Sequence, residues 1–360
     1  MDISVIIPTY NKRLFLELTL AALANQSYPK KRYEVIVVCD GCTDGSEEIV
    51  EAFTSKMRVR LALYQKNRGR SAARNLGLEY ADGDLIIFCD DDCIAPPTFV
   101  ERHHAAHIAE DLVVCGFRRH VFSFYLPGFD KEITQLLLET IDGLPWLEEL
   151  SKQIEDIRTT TPLLTSRDVI HAFKRVEALS IDKKMKVERI YDEVDGAVES
   201  IEVPWELFVT SNASLHSRWL EKVGGFDESF HRWGHEDLEL GFRLYKAGLR
   251  FIVSPCITVY HQVHSLADKN ISKDDLHNFL LLARKHPCIE ILLHWRFSHG
   301  DIDLRTYQRL IKEYYTLKKQ GDSIICTDYY KLLESFVSNL SIRQKFVSLI
   351  EQLGKKGEEG

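Results

Sequence analysis

The first ninety residues alternate between two hydrophobic periods, and that alternation constrains the fold more than any other feature of the chain. "ISVIIP" (3–8), "YEVIVVCD" (33–40), "RVRLALYQ" (58–65) and "DLIIFCD" (84–90) are apolar runs rich in β-branched residues. Between them, "FLELTLAALANQ" (15–26), "SEEIVEAF" (46–53) and "GRSAARNLGLEYA" (69–81) carry apolar residues at helical spacing. Runs that are apolar without a polar alternate are strands covered on both faces. Strand and helix in strict succession give a parallel sheet with helices on its faces. The expected fold class is therefore α/β, with a mostly parallel sheet flanked by helices. Ligands of such sheets bind at the carboxyl ends of the strands. Three of these strands run into polar residues there: "PTYN", "CDGCTDG" and "CDDDC". Ser46, followed by Glu47 and Glu48, reads as the cap of the second helix.

The remainder is organised differently. Residues 128–200, including "ITQLLLETI" and "FKRVEALSIDKKMKVERIYDEV", read as a helical insertion whose charges form a solvated face with no assigned chemistry. Strand character returns at "FVTSNASLHS" (208–217) and "GLRFIVSPCITVYHQVH" (248–264). The end of the chain reads as helices, with Leu304, Tyr307, Leu310, Ile311, Tyr314 and Leu317 in one apolar stripe. "GKKGEEG" closes it as a disordered end. This divides the chain into a catalytic domain over 1–265, with its insertion at about 128–200, and a helical region over 266–360 for acceptor recognition or oligomerisation.

A net charge of −8 argues against nucleic acid as a partner. The first residues lack a basic n-region and a long apolar core, and no apolar run approaches the roughly 20 residues of a membrane span. Eight cysteines then read as free thiols, giving a cytoplasmic protein with peripheral membrane contact left open. "CDGC" could be a redox pair, but it lacks the helix N-terminus on which such pairs sit.

Four groups of residues could do chemistry. Asp90 and Asp92, alternate residues at a strand end, should point the same way and offer a hard-oxygen site for Mn²⁺ or Mg²⁺. Cys89 and Cys93 beside them read as packing residues rather than zinc ligands. Glu236 and Asp237 open a helix, where the macrodipole favours carboxylates, and one of them could act as a general base. Trp233 and Gly234 just before them suit a pocket wall on which a sugar ring can stack. His261 and His264 follow a buried strand and could complete a metal shell. Arg68, Arg70 and Arg74 stand at a helix start that could bind an anion.

The stretches "SVIIPTYNK", "VIVVCDGCTDGS", "NRGRSAARNLGLEYADGDLIIFCDDD" and "VGGFDESFHRWGHEDLELGFRLYKAG" resemble, in order, the motifs of family 2 glycosyltransferases of the GT-A (Rossmann-like) fold. The "WGHEDLELGFRL" element is also similar to a segment of chondroitin-type polymerases and polypeptide N-acetylgalactosaminyltransferases. The resemblance covers about residues 1–265 and implies roles. Pro8, Thr9 and Tyr10 would line a nucleobase pocket, with Asp40 hydrogen-bonding the base. Arg70 and Arg74 would lie near the nucleotide or donor sugar, and Asn212 near that sugar. Asp90 would bind ribose or sugar and share the metal site; Asp92 would hold the metal that bridges the diphosphate. His261 would be the third metal ligand. Asp91, counted with the donor-binding set, should matter less because it points away from its neighbours. Asp237 would be the base and Glu236 would hold hydroxyls.

The resemblance thus implies metal-dependent transfer from a nucleotide-sugar, expected to be UDP-linked, by a single inverting displacement. The acceptor stays open among carbohydrate, peptide, lipid-linked and small-molecule classes, as does homo-oligomer formation. A retaining enzyme of the same fold and a nucleotidyltransferase are the alternatives. The second would need a glycine-rich phosphate loop with a basic residue after the first strand, which "PTYNK" lacks. Cys39 and Cys42 depart from the acid and serine that many relatives carry.

Overall fold

The computed structural model describes residues 1–108, 110–264 and 271–320, together with Lys331. They fall into two compact units, one of residues 1–200 and 204–274, the other of 201–203 and 275 onward. The expected boundary near 266 and the closing "GKKGEEG" lie outside the described residues.

In chain order the first unit begins with β1 (Ile3–Thr9), α1 (Arg13–Ala24), β2 (Tyr33–Asp40), α2 (Ser46–Phe53), β3 (Val59–Tyr64), α3 (Arg70–Glu79) and β4 (Leu85–Cys89). Next come β5 (Cys93–Ile94), α4 (Phe99–Ala106), β6 (Leu112–Val121) and β7 (Phe124–Tyr125). The insertion supplies α5 (Lys131–Ile141), α6 (Glu148–Gln153), β8 (Thr161–Pro162), α7 (Ser166–His171), α8 (Lys174–Ala178), β9 (Ser180–Ile181) and α9 (Lys186–Glu193). The unit continues with β10 (Asn212–His216), α10 (Ser217–Val223), α11 (Glu236–Lys246) and β11 (Arg250–Gln262).

The main sheet runs β3-β2-β1-β4-β10-β6-β11-β5, with β9 added alongside β6. β1, β2, β3 and β4 are mutually parallel, as the alternating pattern requires. β10 is antiparallel to both β4 and β6, and β6 is parallel to β11. The carboxyl ends of β1, β2, β4, β6 and β11 therefore share one edge. Ile3, Val5, Ile7, Val35 and Val37 pack into the core that also holds α1. Ile36 and Val38 face the opposite layer with Ala73 of α3. α3 lies close to the sheet because Gly77 has no side chain: a Cβ there would come within 2.6 Å of Ile6 Cγ2.

Three local expectations need correction. The insertion is helical, but the "FKRVEALSIDKKMKVERIYDEV" stretch is broken by β9 and the loop that follows it. β6, "LVVCGFRRHV", sits inside the sheet although its sequence received no assignment above. The start of α2 is capped by Asp44, whose Oδ1 accepts from the Ser46 amide and hydroxyl at 3.0 and 2.6 Å; Ser46 is already helical.

The second unit contains most of α12 (Ile271–Lys285), then α13 (Ile289–Ser298) and α14 (Leu304–Lys319). Asp303 caps α14 by accepting from the Thr306 amide at 2.7 Å. Leu304, Tyr307 and Ile311 of the expected stripe are buried, and Leu310, Tyr314 and Leu317 are half-buried. Among the described residues no helix is long and apolar enough to cross a membrane.

Candidate active site

β4 ends at Cys89, one residue before the aspartate triplet. Asp90, Asp91 and Asp92 form a turn closed by a hydrogen bond from the Cys93 amide to the Asp90 carbonyl at 3.2 Å. Strand alternation therefore does not govern them, and Asp90 and Asp92 meet different partners. The expectation that strand alternation aims the two the same way does not apply here.

Asp92 is the anionic end of a cluster. Its Oδ1 lies 3.2 Å from His261 Nε2, and its Oδ2 lies 3.0 Å from His264 Nε2. Lys12 Nζ stands 3.3 Å from the same Oδ2. Burial alone would raise the Asp92 pKa, but His261, His264 and Lys12 outweigh it and hold the carboxyl well below its ordinary value. Burial lowers the pKa of His261 against the pull of Asp92, which favours the neutral form that acts as a ligand. Among the described residues, Asp92, His261 and His264 are the one group of three or more His, Cys, Asp or Glu with ligand atoms all within 4.8 Å of one another. Asp90 is not in it. Both histidines thus stand at the position for which His261 alone was expected. Lys12 received no role in the sequence; its signal is a lysine directly after a strand-end "PTYN".

Asp90 turns instead to Arg74, whose Nη2 lies 3.4 Å from Asp90 Oδ1. The same guanidinium donates through Nη1 to Glu236 Oε1 at 3.1 Å and lies over the Phe226 ring. Arg74 is only 2% exposed, so its guanidinium meets the site through Asp90 and Glu236. Arg70 is exposed, and its guanidinium sits in the field of Glu236 and all three aspartates. Burial would raise the Glu236 pKa, but Arg74 and Arg70 together lower it.

Asp237, the next residue, is driven the other way. Burial, and then the charge of Glu236, push its pKa up to about 6, against the pull of Arg74 and Lys186. Its Oδ1 accepts from the Leu238 amide at 2.8 Å. Gly234 and His235, at φ +94° and +67°, turn the chain sharply into α11, and Trp233 and Gly234 are half-buried there. Lys186 belongs to the insertion and also pairs with buried Glu206 at 2.5 Å, so the insertion's charges do not all meet solvent. Asp91 is buried; burial and the Asp92 charge push it to about 7.

At the other expected positions, Tyr10 is 51% exposed at the end of β1, with Thr9 buried and Pro8 half-buried beside it. Asp40 is buried and accepts from the Arg68 and Gly69 amides at 2.7 and 2.8 Å, which fixes the loop entering α3. Arg68 itself stacks over Tyr64 and reaches Glu228. Cys39, Cys89 and Cys93 are buried free thiols, and Cys42 Sγ lies 3.5 Å from the Thr9 carbonyl.

Asn212 is buried at the start of β10. Its Nδ2 donates to the carbonyls of Phe117 and Ile257 at 2.8 and 3.1 Å, and its Oδ1 meets His103 Nε2 at 3.0 Å. Both amide protons are thus taken by the sheet, and Oδ1 keeps one lone pair.

A parallel sheet with carboxylates and imidazoles gathered at its carboxyl edge defines the class of GT-A glycosyltransferases. A family model described as glycosyl transferase family 2 matches residues 4–165, and one described as the N-terminal domain of galactosyltransferase matches 197–265. An uncharacterised glycosyltransferase of Bacillus subtilis (strain 168) is 33% identical over 304 residues, spanning 83% of this chain and 74% of that protein. Chondroitin synthase of Pasteurella multocida (strain Pm70) is 32% identical over 268 residues, 73% of this chain but 25% of that protein. The crystal structure of S. aureus TarS 1–349 in complex with UDP-GlcNAc shares the fold at a TM-score of 0.52 and 19% identity, covering 94% of this chain and 84% of that one. The chain belongs to the family 2 glycosyltransferases.

Proposed function

We propose that this protein moves a sugar from a UDP-linked donor to a hydroxyl of a saccharide acceptor, with inversion and with a divalent cation. The observation that carries the reading is the convergence of Asp92, His261 and His264 at the carboxyl edge of the sheet. Relatives and neighbours support the substrates. TarS, on the same fold, is captured with UDP-GlcNAc, and one relative is a chondroitin synthase.

The donor set fits such a cation. Two imidazole nitrogens with one carboxylate suit Mn²⁺ better than Mg²⁺, which prefers an all-oxygen shell. Asp92, His261 and His264 would hold it, and it would supply Lewis-acid stabilisation of the departing diphosphate, worth several kcal/mol. The protein's own groups do the rest. Pro8, Thr9 and exposed Tyr10 border the nucleobase, with Asp40 holding the adjoining loop. Asp90 accepts from the donor's hydroxyls, and Arg70 faces its phosphates. Trp233 and Gly234 wall the acceptor. Asp237 takes the acceptor's hydroxyl proton as that oxygen attacks the anomeric carbon. The bond from that carbon to the diphosphate oxygen breaks in line, and its electron pair leaves with the diphosphate. A carboxylate tuned to about 6 is ionised at neutral pH yet basic enough to accept this proton.

The test is release of UDP from a panel of UDP-sugars, with Mn²⁺ or with EDTA, and nuclear magnetic resonance of the product anomer. Release that needs the metal and gives the inverted anomer is expected. Turnover undiminished in EDTA, or in Asp92→Ala, would overturn the metal reading; a retained anomer would overturn inversion.

A further inference from the structure

The donor-side and base-side carboxylates are not independent. α3 clamps the segment that leads into α11. Asn75 Nδ2 donates to the Phe226 carbonyl at 2.9 Å and to Glu228 at 3.0 Å, while Asn75 Oδ1 accepts from the Phe226 amide at 2.8 Å. Ser71 Oγ donates to the Phe230 carbonyl at 3.3 Å. Arg74, between them on α3, reaches past this clamp to both Glu236 and Asp90.

We infer that Arg74 is a positioning residue that couples donor binding at Asp90 to the placement of the base, Asp237, through Glu236. The planar guanidinium has separate nitrogens for separate carboxylates, so one rigid group can register two partners at once. Glu236 is only 4% exposed, and its side-chain ion pair toward the donor-side turn is with Arg74, while Arg70 adds its field to both. Asp90 is 26% exposed and can take a second partner from solvent. A ligand hydroxyl bonded to Asp90 competes with Nη2, and any shift of the guanidinium moves the grip of Nη1 on the residue beside Asp237. Lysine would keep the charge but could not bridge both carboxylates in the same plane. This rests on the proposed roles of Asp90 and Asp237, but its test can fail separately from them.

The experiment is a double-mutant cycle of Asp90→Asn and Glu236→Gln, with and without Arg74→Lys. It reads kcat at saturating donor, the Kd of UDP with Mn²⁺ by calorimetry, and the urea midpoint. With Arg74 present, the kcat losses should fail to multiply, the double variant being little worse than the worse single one. Glu236→Gln should weaken UDP binding about three- to tenfold although Glu236 is buried away from the donor. With Arg74→Lys the losses should multiply and the effect of Glu236→Gln on UDP should vanish. A purely structural role for Arg74 would lower the urea midpoint in every variant and leave the UDP affinity unmoved by Glu236→Gln; that result overturns the coupling. If the protein neither turns over a donor nor binds UDP, the proposed function falls. The coupling, which needs a bound donor, falls with it, whereas normal UDP binding with multiplicative losses overturns the coupling alone.

Discussion

Asp92 and Asp237 are the same residue type, both drawn into the protein, and their acidities move in opposite directions. Asp92 faces two imidazoles and a lysine ammonium, and its carboxyl stays ionised far into acid. Asp237 feels the carboxylate of Glu236 more strongly than any other charge and, with burial, is pushed up to about 6. Burial works against ionisation in both. What separates them is the sign of the neighbours, and that difference suits one to hold a cation and the other to accept a proton.

Breaking the anionic end should cost most. Asp92→Ala is expected to lower kcat by at least about 10³-fold, since it removes the charge that the cation-stabilised leaving group relies on; donor-turnover assays read this directly. Asp237→Asn should follow, with a loss of about 10²–10⁴-fold, the range of general-base help. Sugar transfer unchanged in that variant would remove Asp237 from the role.

The pH profile sharpens the contrast further. The base must be ionised, so kcat should fall about tenfold per pH unit below a limb near pH 6, while Asp92 contributes no limb in that range. The stability effect of Asp237 has the opposite sign. Its folded pKa lies above the unfolded one, so its ionisation costs the native state stability as pH rises from about 4 to about 6. Asp237→Asn should therefore raise the urea-derived stability above pH 6 by up to about 3 kcal/mol, with the difference gone below pH 4. Lys12→Met should have a smaller catalytic effect, about tenfold, seen as a higher Mn²⁺ concentration for half-activation or a higher donor KM.

The parallel half of the sheet was readable because β1, β2 and β4 are buried on both faces and each helix on one, so burial itself writes the period. The sequence of α11 announced its acidic start in the same way. The triplet misled because its alternation was extended one residue beyond the strand into a turn. The bonds of Asn212 were not legible, because a buried amide at a strand start looks identical in sequence whether it greets a ligand or ties down a bend in another strand. Lys12, Lys186 and the bridge made by Arg74 depend on which elements meet in space, as Lys12 meets Asp92 across 80 residues and Arg74 meets Glu236 across 162, information that no local spacing contains.

The insertion of β10 between β4 and β6 has a consequence for how the chain assembles. More than a hundred residues separate Cys89 from its sheet partner Asn212. A chain emerging from the ribosome must keep the free edge of β4 unpaired while α4, β6 and the whole insertion are made. Such distant pairing is slow, and a waiting hydrophobic edge invites pairing with another chain. Truncation before residue 212 should therefore yield aggregates rather than a smaller folded domain.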